Sequence, residues 1–491
     1  MIFLVGLAVI LVELTDFLMY RGSERLTIGY RDLPKDTVDV LLLGNSTMMN
    51  DVYPLELWND YGITAYNAAC VNQSIASSYY IIQDFLEYHS PKVIVLDCQA
   101  AKNGGKYISE NTLHYVTDAY GANSKISRRI IQDLVEPSKR IGFYFPLFAY
   151  HNQWQSLSNN NFHPNDRDIS FGGKVNGRTK ELDDITSVAQ ERTKDIPEIP
   201  KEYLEKIIAL ANEHNIKLVF TIAPTARSLK DNEKANNYYM VYNEVGKFAE
   251  ANGVDYINFN YMKEELGIDE QTDYADSLHM NFNGAEKLTS YFGKMLAGMV
   301  ENHKEDGTWE YTDLYNSKYA DFQYYKNDTC IRSATDIHLY LKALARCKED
   351  YLIVIAVKDI VGYKLDETIN NELKALGVNT DLVDKGQRSY IFVSDNGDIL
   401  YDKLNEEDNV ADTYNAVIDK SLRLYVVSAP LNGGNTANIK INDYDYSFDL
   451  RGLNIVVYDK KSGNKVDAVN FDTHSMFLKC YRTKNKEEEE D

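Results

Sequence analysis

The alternation of continuous apolar segments with amphipathic segments constrains the fold of this chain more than any other feature. Apolar residues recur at the i, i+3, i+4 spacing of helices over 75–88, 203–212 and 239–251. Short apolar segments of strand length flank them, at 38–45, 64–68, 92–96, 217–223 and 254–259. Strands that are apolar along their length are buried on both faces, as in a parallel sheet covered by helices. We therefore predict a doubly wound α/β domain with a flavodoxin-like strand order, and a functional site beyond the carboxyl ends of its strands.

The length of 491 residues leaves room for two or three domains. We predict that the α/β domain covers 36–301, and that a polar, aromatic excursion at 104–198 forms a lid or substrate wall. The tyrosine-rich stretch 302–329 has little periodicity and is interpreted as a linker. Strand-like segments separated by Asn-Gly and Gly-Gly turn signals predict a separate α+β domain at 330–482. The charge run 483–491 is predicted to be a solvated tail.

The net charge argues against one large class of partners. Lys and Arg number 52 whereas Asp and Glu number 74, so the formal charge is −22. Negative charge of this size repels phosphate backbones, and we therefore expect no binding to nucleic acid. The composition is that of an acidic, surface-exposed globular protein.

The N-terminal segment is apolar. Residues 2–12 form an unbroken apolar run, which continues to Tyr20 with acidic interruptions at Glu13 and Asp16. A membrane span needs about 20 apolar residues. We predict that residues 1–21 tether the chain to a membrane, which would place everything after Arg21 outside the cytoplasm. A remnant of a signal sequence and a buried amphipathic helix are the alternatives.

The five cysteines form no metal-binding or redox motif. No C-x-x-C pair occurs, so neither a zinc ribbon nor a thioredoxin-type site is encoded. An odd number of cysteines in an exported chain allows at most two disulfides. Histidines such as His89, His114, His163 and His214 show no metal-ligand spacing, and we interpret these four as surface or structural residues. We therefore expect neither a metal nor a cofactor.

Three side chains at the two ends of the α/β domain form the best candidate for chemistry. Ser46 follows the first predicted strand in the sequence Gly-Asn-Ser-Thr, and Asp276 precedes His279 by three residues before the last helix of the domain. A carboxylate at this spacing can orient an imidazole that activates a serine hydroxyl. Alternatively, Ser46 and Asp276 could each cap the helix that follows, with His279 as an ordinary loop residue.

The G-x-S and D-x-x-H sequences, in this order on an α/β pattern, resemble the SGNH/GDSL hydrolase superfamily over 36–299. More closely, the segments 44–74, 145–154 and 276–292 resemble exported, membrane-anchored members from Gram-positive bacteria. These are associated with membrane-bound O-acyltransferases and are similar in style to the D-alanyl transfer protein of teichoic acids. The resemblance implies that Ser46 is the nucleophile, His279 the general acid and base, and Asp276 its orienting carboxylate.

The chain departs from that superfamily where the oxyanion donors are expected. The usual glycine after the second strand and the usual G-x-N-D sequence after the third are not evident. We expect the hole to combine the Ser46 backbone N–H with a side-chain amide from Gln73, or alternatively from Asn72 or Gln99. In the excursion, His151 and Trp154 are candidates for a substrate wall, because sugar rings stack on aromatic faces. Packing against the sheet is the equally open alternative for these two residues.

The second half of the chain resembles another family. Segments 345–398 and 451–474 are similar to the interleukin-like EMT inducer domain, also called the PANDER or GG domain, in circularly permuted order. That domain occurs in cytokine-like proteins and as a glycan-binding module. The resemblance implies a bridge between Cys330 and Cys480 at the new ends, and a role in binding glycan or protein. A purely structural domain is the alternative.

Together these expectations favour a serine acyl-transfer enzyme outside the cytoplasm, tethered to the membrane. It would act on O-acyl groups, in particular O-acetyl groups, of a surface polysaccharide, with a membrane-bound O-acyltransferase as a partner. An esterase using the same three residues is an alternative. A surface adhesin or assembly factor without catalysis is another.

Overall fold

The computed structural model describes residues 2–19, 24–104, 108–121, 124–157, 159–162, 168–180, 192–226, 233–305, 307–476 and 478–482. The chain divides into two compact units. Unit 1 consists of Met1–Asn176 and Lys180–Gln323, and unit 2 of Gly177–Thr179 and Tyr324–Asp491. The predicted tail 483–491 and His163 lie outside the described residues.

The predicted α/β fold is confirmed in unit 1, where five parallel strands form one sheet in the order β2-β1-β3-β4-β5. The buried apolar residues of β1, β3 and β4 account for the continuous apolar segments of the sequence. Because the strands are parallel, their carboxyl ends meet at one edge of the sheet. The strands are β1 Val40–Leu43, β2 Ala65–Asn67, β3 Val93–Asp97, β4 Lys217–Ile222 and β5 Asp255–Asn258.

Helices follow each of these strands along the chain. The long ones bury an apolar stripe, as the i, i+3, i+4 spacing predicts. The helices of unit 1 are α1 Ile2–Met19, α2 Glu24–Ile28, α3 Ser46–Asp51, α4 Pro54–Tyr61, α5 Ile75–Phe85, α6 Glu110–Tyr120, α7 Lys125–Leu134, α8 Arg140–Tyr144, α9 Leu147–Tyr150, α10 Asn159–Phe162, α11 Glu198–Glu213, α12 Glu233–Ala251 and α13 Phe282–Leu296. Helices α6 to α10 belong to the excursion 104–198. No helix in the described ranges is long and apolar enough to cross a membrane.

The interpretation of 302–329 as a linker was wrong, because most of it forms helix α14, Thr312–Ser333. In unit 1, Tyr315 and Phe322 are fully buried. The ring of Tyr315 lies 5.1 Å from that of Trp58, and the ring of Phe322 lies 5.6 Å from that of Tyr53. The stretch reads as polar because tyrosine has a hydroxyl, yet a tyrosine ring can fill a core as well as a phenylalanine ring. Helix α14 crosses the boundary between the units at Gln323.

Unit 2 combines two further helices with a ten-stranded sheet, which confirms the predicted α+β class. Its central path is β12-β11-β10-β6-β13-β14-β15, while β7 pairs with β6 and β8, and β9 pairs with β10. Leu352, Val354, Leu424, Val426 and Val456 share its buried core. The elements are α15 Ile337–Arg346, α16 Glu367–Leu376, β6 Leu352–Asp359, β7 Tyr390–Asp395, β8 Asp398–Leu404, β9 Asp412–Ile418, β10 Leu422–Pro430, β11 Thr436–Ile441, β12 Tyr444–Asp445, β13 Gly452–Asp459, β14 Asn464–Phe471 and β15 Cys480–Tyr481.

The predicted bridge between Cys330 and Cys480 is not formed, and no disulfide joins any cysteines in the described part of the chain. Cys330 is buried within helix α14, whereas Cys480 begins the edge strand β15. Burial raises the pKa of the Cys480 thiol to about 11, although the Arg482 charge opposes this shift. Disulfide formation requires a thiolate, so such a thiol is a poor participant.

Candidate active site

Ser46 is placed by the sharp transition from strand β1 to helix α3. The strand ends at Leu43, and Ser46 is the first residue of the helix. Asn45 caps this helix, since its side-chain oxygen accepts a hydrogen bond of 2.9 Å from the Thr47 backbone N–H. The capping role considered for Ser46 is therefore filled by its neighbour, and the serine hydroxyl is available for another partner.

His279 is that partner, although it lies 233 residues further along the chain. The Ser46 Oγ and His279 Nε2 atoms are 2.7 Å apart. On the other side of the ring, Nδ1 lies 2.9 Å from Asp276 Oδ2. A carboxylate on Nδ1 favours the tautomer with its proton there, which leaves Nε2 free to accept the serine proton. The structure thus brings all three predicted catalytic residues together in hydrogen-bonding order.

The loop that carries His279 is built around Asp276. One carboxylate oxygen of Asp276 accepts hydrogen bonds from the backbone N–H groups of Leu278 at 2.8 Å and His279 at 3.0 Å. This turn holds the imidazole close to the carboxylate that orients it. Asn281, not Asp276, caps the following helix α13 by accepting from the N–H groups of Asn283 and Gly284. The alternative capping role for Asp276 is therefore not seen.

The charge of Asp276 is stabilised by these contacts. Burial opposes the shift, but the hydrogen bond from His279 and the backbone N–H of Leu278 outweigh it and lower the pKa of Asp276 to about 2. The carboxyl is therefore ionised at neutral pH. The Asp276 and His279 side chains are 44% and 22% exposed, so a substrate can reach the imidazole from solvent.

A buried carboxyl that sequence reasoning missed joins the nucleophile helix to the histidine loop. Asp51 is the last residue of α3, and its Oδ1 accepts a hydrogen bond of 3.0 Å from the backbone N–H of Met280. Full burial raises the pKa of Asp51 well above its ordinary value. The Met280 N–H opposes this shift, while the nearby charges of Asp97 and Asp276 add to it. Burial thus shifts Asp51 towards its neutral form, and its hydrogen bond with Met280 connects the segments on which Ser46 and His279 lie.

A second buried carboxyl, Asp97, ends strand β3 beside the Ser46 loop. Its Oδ2 accepts from the hydroxyl of Thr47 at 2.8 Å, and its Oδ1 accepts from the backbone N–H of Ala223 at 3.1 Å. Burial raises the pKa of Asp97 to about 6, although these hydrogen bonds oppose the shift. The signal that could have found Asp97 is an acidic residue directly at the carboxyl end of an apolar strand, the edge at which the site was expected.

The three oxyanion candidates do not meet Ser46 through the hydrogen bonds seen for them. The buried Gln73 amide donates to the Ser78 hydroxyl at 2.9 Å, and the Gln99 amide donates to the Ala223 carbonyl at 3.0 Å. Asn72 is exposed and has a φ of 54°, in the left-handed region that glycine favours. The two glutamines thus brace the loops after β2 and β3, and the oxyanion assignment stays a prediction.

The candidates for a substrate wall lie on the surface of the excursion. His151 is exposed, with Nδ1 placed 2.9 Å from the carbonyl oxygen of Phe148, and the indole of Trp154 is also exposed. Within the described ranges, neither makes a hydrogen bond or ring contact with the three catalytic candidates. The packing against the sheet that was the alternative is not seen either, because both side chains face solvent.

The other histidines have structural surroundings. His89 is buried with Nε2 2.8 Å from the Tyr30 carbonyl oxygen, and His114 is buried with Nδ1 3.0 Å from Asp118 Oδ1. His214 is an exposed residue at the end of α11. Among the residues whose placement is described, no group of three or more acidic, histidine or cysteine side chains could hold a metal ion.

Comparison with known proteins finds similarity only at the level of solved structures. No protein-family model matches the chain. No curated protein matches it in sequence. A GDSL-like lipase from Bacteroides thetaiotaomicron is similar at 10% identity and a TM-score of 0.28, over 58% of this chain and 100% of the lipase. An acetyl xylan esterase is similar at 14% identity and a TM-score of 0.28, over 53% of this chain and 99% of the esterase. Likenesses this distant do not bear on chemistry, which depends on the geometry of the site itself.

Proposed function

We propose that unit 1 is a serine acyl-transfer enzyme of the SGNH/GDSL type that acts on ester bonds. The observation that carries the proposal is the chain of hydrogen bonds from Ser46 Oγ to His279 Nε2 at 2.7 Å and from His279 Nδ1 to Asp276 at 2.9 Å. These hydrogen bonds join segments that are remote in sequence. Ser46 does not cap helix α3 and Asp276 does not cap helix α13, so helix capping does not explain the two residues. A serine, an imidazole and an ionised carboxylate in this order are the elements of nucleophilic acyl transfer.

The reaction follows from these contacts in two balanced steps. Ser46 Oγ forms a bond to the ester carbonyl carbon as its proton passes to His279 Nε2, and the imidazolium is stabilised by Asp276. His279 then gives that proton to the leaving alkoxide as the ester bond breaks, which leaves an acyl-serine. In the second step His279 takes a proton from an acceptor hydroxyl, whose oxygen attacks the acyl carbon. Ser46 leaves with the proton returned by His279.

The acceptor decides between two activities at the same site. Water as acceptor gives an esterase, and a sugar hydroxyl gives an O-acyltransferase. We propose transfer of an acetyl group on a surface polysaccharide, with a membrane-bound O-acyltransferase as the partner that supplies the acyl group and unit 2 as a module that binds glycan or protein. The support is the resemblance of 44–74, 145–154 and 276–292 to exported proteins of that type.

Covalent labelling tests the proposed nucleophile. A fluorophosphonate probe is expected to label the full chain and to leave Ser46→Ala unlabelled. The matched control is Ser277→Ala, which changes a serine of the histidine loop and is expected to keep full labelling. Absence of labelling in the unchanged chain would contradict the enzyme. That result would favour the non-catalytic adhesin. The supporting observation for the adhesin is that the Gln73 and Gln99 amides, two candidate oxyanion donors, form hydrogen bonds with other groups of the fold.

A product assay separates transferase from esterase. The chain is incubated with an acetyl donor ester and cell-wall oligosaccharides, and the products are separated by mass spectrometry. Acetylated oligosaccharide that disappears in Ser46→Ala is expected for the transferase. Free acetate without acetylated sugar would establish the esterase instead.

We also propose that the enzyme works outside the cytoplasm, tethered through residues 1–21. The support is that the described part of this segment, Ile2–Met19, is a helix with many exposed apolar side chains. Fractionation of cells that express the full chain tests it. Recovery in the membrane fraction, with degradation by protease added outside the cell, is expected; recovery with cytosolic markers would contradict it.

A further inference from the structure

The excursion exposes an unusual number of large apolar side chains. Scattered apolar residues are normal on a protein surface, whereas a contiguous group marks an interaction site. In the short helices and turns between residues 140 and 162, five such side chains are each more than half exposed. They are Ile141 at 58%, Phe145 at 58%, Phe148 at 67%, Trp154 at 62% and Phe162 at 60%.

Helix α1 lies against this part of the excursion and extends its apolar character. The helix contacts α9, α10 and the turn Gln153–Ser156. The rings of Phe17 and Phe162 meet edge to face at 5.3 Å, and Asn161 donates a hydrogen bond of 2.8 Å to the Phe17 carbonyl oxygen. Eight large apolar side chains of α1 are exposed, namely Phe3, Val5, Leu7, Val9, Ile10, Leu11, Val12 and Leu14. We call these eight and the five of the excursion the apolar surface.

The distribution of these side chains on α1 identifies what covers them. Successive residues of a helix are about 100° apart, so positions 3, 5, 7, 9, 10, 11, 12 and 14 point in all directions around the axis. A protein groove covers one stripe of a helix, typically at i, i+3, i+4 and i+7. A helical segment that is apolar all round, as α1 is up to Val12, fits a medium that surrounds it, such as lipid. The neighbouring phenylalanines and tryptophan are the residue types that settle at a membrane–water interface.

The charge next to the apolar surface fits the same medium. Residues 125–140, on α7 and at the start of α8, contain five Lys or Arg residues and two Asp or Glu residues. Two of the five, Lys125 and Lys139, are ion-paired with Glu87 and Glu110, so the local excess of positive charge is smaller than the sequence count, in a chain whose net charge is −22. Basic residues beside an exposed apolar surface attract anionic lipid headgroups.

We propose that the apolar surface binds a lipid bilayer, and that the excursion takes part directly through Phe145, Phe148 and Trp154. On this proposal Trp154 contacts lipid and does not line the substrate site. This extends the tether proposed above for residues 1–21, because the membrane contact then involves two segments far apart in sequence, α1 and the excursion. The proposal does not depend on catalysis, because it concerns side chains that make no contact with Ser46 or His279 in the described structure.

Vesicle flotation tests the proposal on the full chain. Vesicles of phosphatidylcholine and phosphatidylglycerol are expected to float the unchanged chain. The triple variant Phe145→Ser, Phe148→Ser, Trp154→Ser keeps α1 intact and is expected to lower the vesicle partition coefficient by about tenfold or more, because three exposed aromatic side chains lose their burial in lipid. The control triple variant, Val417→Ser, Tyr444→Ser, Met476→Ser, changes comparably exposed apolar residues of unit 2 and is expected to float like the unchanged chain.

Two results of the flotation experiment would overturn the proposal. The first is equal flotation of the excursion variant and the unchanged chain. The second is a lack of flotation of the unchanged chain; self-association that the excursion variant abolishes would then show that the apolar surface joins copies of this chain. Circular dichroism verifies that the variants are folded.

Brominated phospholipids give a readout specific to location, because they quench tryptophan fluorescence only within the bilayer. The chain has three tryptophans, of which Trp58 is buried, Trp309 is half-buried and Trp154 is exposed. Quenching is expected in the unchanged chain and is expected to disappear in Trp154→Phe, while flotation is retained. Undiminished quenching in Trp154→Phe would show that Trp154 is not in contact with lipid, and would contradict the proposal.

Discussion

Replacement of Asp97 by asparagine is expected to remove a loss of stability that unit 1 otherwise undergoes as pH rises. The carboxyl is completely buried, and burial raises its pKa from the ordinary 3.8 to about 6 against the opposing hydrogen bonds of Thr47 and Ala223. Asparagine fits the same place, because its carbonyl oxygen can accept from the Ala223 N–H and its amide can donate to the Thr47 hydroxyl. That hydroxyl is then free to donate to Asn45 Oδ1, which lies 2.6 Å away.

The direction in which stability changes with pH depends on whether the folded or the unfolded chain holds the Asp97 proton more tightly. Well below about pH 4 the carboxyl is protonated in the folded and the unfolded chain alike. Between that value and about pH 6 the folded chain keeps the proton while the unfolded chain releases it, so stability falls as pH rises. A pKa displaced from 3.8 to about 6 corresponds to about 3 kcal/mol, since each pKa unit is about 1.4 kcal/mol. Part of this change occurs below pH 4, where the unfolded carboxyl already begins to ionise, so the free energy of unfolding of the unchanged chain is expected to fall, relative to Asp97→Asn, by about 2 kcal/mol between pH 4 and pH 7.

Urea unfolding followed by tryptophan fluorescence measures this difference. Trp58, Trp154 and Trp309 all belong to unit 1, so the signal reports the unit that contains Asp97. Comparison of two chains at each pH removes the contribution of every other titrating group that they share. A difference between the two chains that stays constant from pH 4 to pH 7 would refute the inference that burial keeps Asp97 protonated in the folded chain.

Three further substitutions test the site. Asp276→Asn is expected to slow hydrolysis of a nitrophenyl acetate by about 10²–10⁴, because His279 loses the carboxylate that sets its tautomer; an unchanged rate would contradict the triad. Asp51→Leu removes the acceptor of the Met280 backbone N–H and is expected to lower the free energy of unfolding in urea by about 1–3 kcal/mol. Asp51→Asn keeps an acceptor there and is expected to retain the stability and the hydrolysis rate of the unchanged chain. Gly44→Ala would place a Cβ 2.8 Å from the Cβ of the buried Asp97 and is expected to lower the melting temperature. The control Gly298→Ala has open space around its Cβ and is expected to leave the melting temperature unchanged. Equal effects of the two substitutions would argue against a tight turn between β1 and α3.

The fold of unit 1 could be predicted because its strands are buried on both faces. Burial of β1 and β3 along their whole length requires continuous apolar sequence, which is a strong local signal. In unit 2, strands β8 and β9 gave no such signal. Most of their side chains are exposed or half-buried, so their sequence resembles that of a polar loop. Helix α14 was missed for a related reason, since tyrosines supply part of its buried surface.

The part of the candidate site that depends on residue type and on order along the sequence could be predicted. Ser46, Asp276 and His279 are the kinds of residue that acyl transfer needs, and the parallel sheet brings the ends of its strands to one edge. The acceptor that Asp51 offers to Met280 depends on how α3 lies against the histidine loop, which no local pattern encodes. The amides of Gln73 and Gln99 were plausible oxyanion donors by type, but their partners in the folded chain are fixed by loop packing.

The course of the chain has a practical consequence for preparing either half alone. Truncation anywhere between 302 and 311 would remove Tyr315 and Phe322 from the aromatic core of the first half, and would leave buried rings such as that of Trp58 without their neighbours. A cut after Gln323 would end inside a continuous helix, and the second half would still lack Gly177–Thr179, which belong to it although they lie far upstream. Recombinant fragments designed from the apparent polar gap are therefore expected to be insoluble, and work on either half is better begun with the intact chain.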